Sequence, residues 1–278
     1  MIVEIATQLK IMKNYNYLLL EEKNSIAHVT LNRPEVRNAL NEVLIAELTD
    51  CFRKISEDIR IRVIILRGAG SVFCAGGDLN WMQRSINFSP EENRRDARGL
   101  AEMYRAIDEC VQPVIVCVHG VALGGGMGLC SVSDIVLAAP DVQFGFTEVK
   151  LGIVPAVISP FVIKKIGESA ARRFFLTSEL FRTEIAKAIG LVHEILPVDQ
   201  LETRADFLAK QILGNGPQAV RAAKTLIREI IPKPMDAALD HAVELISKLR
   251  TSPEGQEGLR SFLEKRPPSW KPTSPEPK

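Results

Sequence analysis

Hydrophobic positions in the first part of the chain come in short blocks broken by polar turns. Tyr17 to Leu31 divides into two strand-length runs, LLLEE and IAHVTL, on either side of Lys23-Asn24-Ser25, which has the composition of a turn. From Asn38 to Ile59 the apolar residues Leu40, Leu44, Leu48, Phe52 and Ile55 recur at helical spacing, and Asn38 or Asn41 is placed to cap that helix. Val63 to Leu66 is then an unbroken apolar run of the kind a sheet covered on both faces requires, followed by the glycine-rich RGAGSVFCAGGDL. The plan recurs at Val114 to Val118, followed by HGVALGGGMGL, so one device is used twice.

Between these repeats, residues 81–110 read as charged helix, with SPEENRRDAR as a capped, solvent-facing start. Asp134 to Ala138 predicts a further strand, and Val142 to Val149 a short one that ends near Glu148. From Ile163 onward the pattern turns helical: KKIGESAARRFFL, RTEIAKAIGLV, ETRADFLAKQIL, PQAVRAAKTLIREII and MDAALDHAVELISKLR, separated by Gly and Pro. The expected architecture is an α/β body followed by helices. The proline-rich end, RPPSWKPTSPEPK, predicts disorder over 267–278.

Composition narrows the function classes. The chain has 278 residues, 46% hydrophobic and 25% charged, which is ordinary for a globular protein. Its 35 basic and 34 acidic residues leave a net charge of +1, so no global field recruits nucleic acid or an anionic membrane surface. No apolar run has the length of a membrane span, and the N-terminus, where Glu4, Gln8, Lys10 and Lys13 interrupt the apolar residues, does not read as a secretory signal; both point to the cytoplasm. The cysteines at 51, 74, 110, 117 and 130 form no C-x-x-C pair and read as reduced thiols. The histidines at 28, 119, 193 and 241 form no ligand pair, so no metal is expected.

Glycine clusters after buried strands cradle phosphate, allow tight packing, or let backbone N–H groups approach a ligand. Neither G-x-x-x-x-G-K-[ST] nor G-x-G-x-x-G fits these segments, and G-x-S-x-G is absent, which argues against a P-loop, a dinucleotide fold and a serine-hydrolase elbow. Gly124-Gly125-Gly126 stands directly before an apolar helical stretch, where free N–H donors meet the positive end of a helix and suit a developing oxyanion. Gly76-Gly77 in the matching segment is the source of a second donor. Tight packing without catalysis explains the same spacing.

Five blocks make the pattern specific: LNRPEVRNAL at 31–40, VFCAGGDL at 72–79, HGVALGGGMGL at 119–129, SDIVLAAPDVQFGFTEVKLGIVP at 133–155 and GLVHEILP at 190–197. In this order they resemble the enoyl-CoA hydratase/isomerase, or crotonase, family, from about Tyr17 to Arg266. The resemblance implies a crotonase-like spiral of ββα units over 1–200, which binds an acyl-CoA substrate. It also implies a helical C-terminal region over 201–266 that builds a homotrimer or homohexamer, with no cofactor beyond the coenzyme A carried by the substrate. It further implies that the thioester oxygen sits between the N–H groups of Gly77 and Gly125. The CoA-contacting positions would be the backbone of Cys74, Ala75, Gly77 and Asp78, with Gly76 and Leu79 beside them, Arg37 near the phosphates and Phe262 and Lys265 on the nucleotide end.

Hydratases of this family use two glutamates that share a water. One corresponds to Glu148; the other falls on Gly128, so that carboxylate is missing. Pressed among apolar residues, Glu148 should have a raised pKa suited to taking and returning a proton; the plainer reading is a surface acid paired with Lys150. The gap at 128 leaves three accounts. Glu148 acts alone as a hydratase, or a second acid comes from Glu91, Glu92 or Asp96, or Glu148 alone shuttles a proton as a Δ3-Δ2 isomerase. A catalytically silent acyl-CoA-binding protein is the rival from another class. The segments DLNWMQ, DARGLAEM and TEVKLGIVPAVISPFVIKKIG further resemble bacterial methylglutaconyl-CoA-type hydratases, which tips the expectation to hydration of a branched or carboxylated 2-enoyl-CoA. If the pocket has room, a glutamate placed at 128 should raise hydration of straight-chain substrates.

Overall fold

The computed structural model of the chain describes residues 10–11 and 15–271. Of the N-terminal residues read above, Lys10 is described, whereas Glu4, Gln8 and Lys13, like the last seven residues of the chain, lie outside the described residues. Strands β1 (Lys10–Ile11), β2 (Leu18–Lys23), β3 (Ile26–Leu31), β4 (Val63–Gly68), β5 (Val114–Val118), β7 (Ile135–Ala138) and β10 (Glu194–Ile195) form one sheet in that spatial order. The first three strands pair antiparallel and the rest parallel. All five residues of β5 are buried, as are Val63 to Leu66, which accounts for their unbroken apolar runs: helices cover both faces of the parallel part.

After each central strand the chain turns into a second, smaller layer. There β6 (Val121–Leu123), β8 (Gln143–Gly145) and β9 (Phe181–Arg182) form a sheet, extended by the isolated bridges Leu40 to Gly77 and Cys74 to Ala122. This second layer brings the segments around 40, 76, 124 and 145 side by side, although they are far apart in sequence. Each turn then enters a helix. Helix α1 (Glu42–Glu57) starts at Asn41, whose side chain accepts from Leu44 N–H, and buries the predicted stripe Leu44, Leu48, Phe52 and Ile55. Helix α2 (Leu79–Ser85) is capped by Asp78, and α3 (Pro90–Asp108) starts with a reciprocal Ser89–Glu92 capping box and Pro90. Helix α4 (Gly125–Val132) follows the triple glycine.

The remaining helices are α5 (Ser159–Thr177), α6 (Thr183–Ala188), α7 (Val198–Leu213), α8 (Pro217–Ile230), α9 (Met235–Thr251) and α10 (Pro253–Leu263). Three details depart from the periodicity. The predicted strand 142–149 stops at Gly145, because a 3₁₀ turn over Glu148–Leu151 takes over. Helix α5 is broken at Gly167, whose φ of 77° suits glycine. Helix α10 was not expected, since Gly255 and Gly258 weaken its pattern; Ser252 Oγ caps it through Gly255 N–H at 3.0 Å, with Pro253 in the first turn. Residues 266–271 are held to it, Arg266 pairing with Glu257 at 2.7 Å and Ser269 N–H donating to the same carboxylate. Among the described residues no helix is long and apolar enough to cross a membrane.

Candidate active site

A cavity of about 420 Å³ opens where the second layer meets α2, α3, α4 and the 3₁₀ turn at Glu148. Its wall includes Gly76-Gly77, Gly124-Gly125, Glu148 and Tyr104, with Trp81, Met82, Leu100, Val157 and Ile158 supplying apolar surface. Two glycine segments and one carboxylate singled out in the sequence therefore meet in one place.

Backbone conformation explains the glycines. Gly76 has φ 103° and Gly124 φ 44°, where a side chain is strained. A Cβ on Gly124 would also lie 3.2 Å from Glu148 Oε1 and 3.9 Å from the Cα of Gly76, so Gly124 stands close to both the carboxylate and the 76–77 turn. The flanking polar groups are tied down. Leu40 N–H donates to Gly76 O at 2.7 Å, Asp78 N–H to Leu40 O at 2.9 Å, and Gly124 N–H to Gly145 O at 3.0 Å. The N–H groups of Gly77 and Gly125 donate to no protein acceptor among the described residues. Gly125 is the first residue of α4, at the partially positive end of a helix that no side chain caps.

Glu148 stands at the start of its 3₁₀ turn, between buried Phe146 and Gly152, whose positive φ closes the turn onto Glu148 O. Ser178 Oγ holds Phe146 O at 2.7 Å, fixing the approach. Burial raises the Glu148 carboxyl above its ordinary value, opposed in part by the N–H groups of Glu148 and Thr147. Its Oε2 is buried without a hydrogen-bond partner, and Lys150 points to solvent, so the surface ion pair does not form.

The acid missing at 128 has a structural explanation. A Cβ on Gly128 would lie 2.6 Å from both Cε1 and Cζ of Tyr104 and 2.6 Å from Cγ2 of Ile158. The Tyr104 ring, fully buried on α3, fills the space where a side chain from 128 would run. A glutamate at 128 therefore has no room, so the condition under which one would raise hydration is not met. Glu91, Glu92 and Asp96 do not replace it either. Glu91 pairs with Arg94, Glu92 closes the capping box, and Asp96 accepts from Trp81 Nε1 at 2.9 Å on the far side of that indole. Glu148 is the sole carboxylate among the residues lining the cavity.

The CoA-side expectations divide. Ala75 and Leu79 line the cavity with Gly76 and Gly77, Leu79 at its exposed mouth. Cys74 is buried beneath them, its backbone paired to Val121 and Leu123, and burial pushes its thiol up to about 12, which leaves it unreactive at neutral pH. The Asp78 carboxylate is used internally. It accepts from Asn80 and Trp81 N–H and pairs with buried Arg33 at 2.9 Å; burial alone would raise its pKa, but these donors outweigh it and lower it. Arg37 is exposed, and its carbonyl accepts from Ala75 N–H at 3.0 Å, so its loop runs beside residues 74–77. Phe262 and Lys265 are not brought to the cavity. They sit at the end of α10, which packs on α9, and Phe262 is 82% exposed.

Sequence reasoning missed Tyr104, Trp81 and Met82. Tyr104 lies between Met103 and Ile107 on the buried face of α3 and reads there as core. No residue pattern announces that its ring meets Gly128.

Comparison with known proteins bears on the family and the fold. A family described as Enoyl-CoA hydratase/isomerase matches residues 21–273. A crotonyl-CoA hydratase of Syntrophomonas wolfei is 31% identical, the match covering 91% of this chain and 96% of that protein. A 2,3-dehydroadipyl-CoA hydratase of Escherichia coli is 30% identical over 91% of this chain and 98% of its own length. The crystal structure of an enoyl-CoA hydratase from Shewanella pealeana superposes with a TM-score of 0.89 at 36% identity, covering 92% of this chain and 97% of that one.

Proposed function

The chain belongs to the enoyl-CoA hydratase/isomerase family and is an enzyme of that family, and from that premise we propose that it adds water to a 2-enoyl-CoA with Glu148 as its only proton carrier. The thioester oxygen lies between the N–H groups of Gly77 and Gly125. Water attacks the β-carbon, the π pair moves to the thioester oxygen as an enolate, and Glu148 takes the water's proton. Glu148 then returns that proton to the α-carbon as the enolate collapses, which restores the carboxylate and yields the 3-hydroxyacyl thioester. Each amide donor aimed at the enolate oxygen is worth about 3–4 kcal/mol of barrier, and a positioned carboxylate about 10²–10⁴-fold.

The observation that carries this reading is a single carboxylate of raised pKa, with one oxygen buried and without a partner, on an apolar cavity that Gly77 and Gly125 also line. The cavity wall also bears on the acyl chain. Apart from Glu148 no charged side chain lines it, so a second carboxylate on the substrate would be buried beside a like charge with no cation to pair it. An uncharged acyl chain, straight or branched, is favoured over the carboxylated chain that the methylglutaconyl likeness suggested, although one relative is named for a dicarboxylic acyl-CoA.

A single carboxylate also suits proton transfer between C4 and C2, the isomerase reading, which needs no water. One assay separates the readings. Following the 2-enoyl thioester absorbance, hydration of crotonyl-CoA removes it and isomerisation of a 3-enoyl-CoA creates it. We expect loss with crotonyl-CoA to be the faster process; gain alone would make the enzyme an isomerase, and no change with either would contradict Glu148 as a proton carrier for these substrates.

The helical end supports self-association, as a trimer or hexamer. Met235, Leu239, Val243 and Ile246 form one exposed apolar stripe on α9, and Phe262 and Leu263 are exposed at the end of α10. Assembly through this face is also what would give Phe262 and Lys265 a neighbour.

A further inference from the structure

We propose that Tyr104 is a positioning residue for the oxyanion donor: its hydroxyl bond to Gly125 O aims the Gly125 N–H at the thioester oxygen. The inference rests on the amide-pair reading above and adds to it the side chain that sets one amide's direction.

Three successive glycines have no Cβ to restrict their φ and ψ, so the donor they carry needs outside restraint to be preorganised. The structure supplies it from several sides. Gly124 N–H is held by Gly145 O at 3.0 Å, and Gly126 lies so close to the Cys74 carbonyl that a Cβ would sit 2.6 Å from it. The peptide unit that carries the Gly125 N–H is held at its own carbonyl, Gly124 O, by Gly128 N–H at 3.2 Å, and the following unit is held by Tyr104, whose Oη donates to Gly125 O at 2.9 Å, so the backbone torsions at Gly125 are restrained from both sides. That bond crosses from α3 to the first turn of α4. The same ring closes the space above Gly128. One side chain thus excludes a second acid and steadies the donor of the single-acid site.

Tyr104 is suited to holding rather than to proton exchange. Its ring is fully buried, and burial keeps the phenol protonated far above neutral pH, so the hydroxyl always has a proton to donate to Gly125 O. In Tyr104→Phe the ring still fills the space over Gly128, and only the tie to Gly125 is lost.

The test uses acetoacetyl-CoA, an acidic β-keto thioester whose enolate is distinguished from its keto form by ultraviolet absorbance. In the unaltered enzyme the bound ligand should show the enolate signature. In Tyr104→Phe, binding of saturated butyryl-CoA should stay within about twofold, which reports a folded site. The enolate signal at saturation should fall severalfold, and kcat about tenfold at a nearly constant KM, less than the 10²–10³ expected for losing a donor outright. An unchanged enolate signal and kcat in a variant that still binds butyryl-CoA would overturn the role of Tyr104 and leave the amide pair standing. No enolate signature in the unaltered enzyme would sink the amide pair itself, and this inference with it.

Discussion

Glu148 combines a catalytic advantage with a cost in stability. Its pKa is raised, so the folded protein binds its proton more tightly than the unfolded chain does. The contribution to stability is then fully present below the ordinary value of 4.5 and is lost as pH rises through the higher folded value. Replacing Glu148 by Gln removes the buried charge while keeping its shape. Thermal melts should therefore show Glu148→Gln equal to or above the unaltered protein at pH 8, with the gap closing below pH about 4. A variant that melts well below it at pH 8 would mean that the carboxylate is paired, not stranded. At this scale the sequence was informative where chemistry is local. Glu148, Gly77 and Gly125 lie in recognisable blocks, and the free amides follow from glycines at a helix start. Arg33 as the partner of Asp78 and Tyr104 as the occupant of the gap at 128 depend on contacts between distant segments, which spacing along the chain does not encode.

Elements were legible in proportion to their length and burial. β4 and β5 announce themselves because a strand covered on both faces must be apolar throughout, and α1 because its stripe repeats over four turns. β6, β9 and β10, of two or three residues, are too short to carry a period, yet β6 and the bridges around Gly77 decide where the amides lie. The contact of α3 with α4 makes a second prediction. Gly128→Glu forces a side chain into the Tyr104 ring and Ile158 inside a packed helix pair, and overpacking of this kind costs at least about 1–3 kcal/mol before the buried charge is added. The variant should melt several degrees lower or fail to accumulate, with no gain in crotonyl-CoA hydration. A stable variant with faster hydration would show that α3 can withdraw and that the single-acid site is not enforced by packing.

Across the whole molecule, the spiral gathers the site from segments around 40, 76, 124 and 148, while the helices after residue 217 leave their apolar faces uncovered. Helices α8 and α9 contain no buried residue in the isolated chain, which is unusual for amphipathic helices that fold alone. Sedimentation should therefore find the protein as a multimer, and Leu239→Glu with Val243→Glu on the exposed stripe of α9 should shift it to smaller species. A monomer in the unaltered protein would contradict assembly through this face.

The central claim, one carboxylate and two amides acting on a thioester enolate, is tested most directly by exchange of the α-protons of butyryl-CoA in D2O, followed by NMR. This reaction needs the enolate and the proton carrier but no added water, so it holds for hydratase and isomerase alike. The account predicts exchange catalysed by the unaltered enzyme and slowed about 10²–10⁴-fold in Glu148→Gln, with butyryl-CoA binding retained. Equal exchange in the two proteins would contradict it.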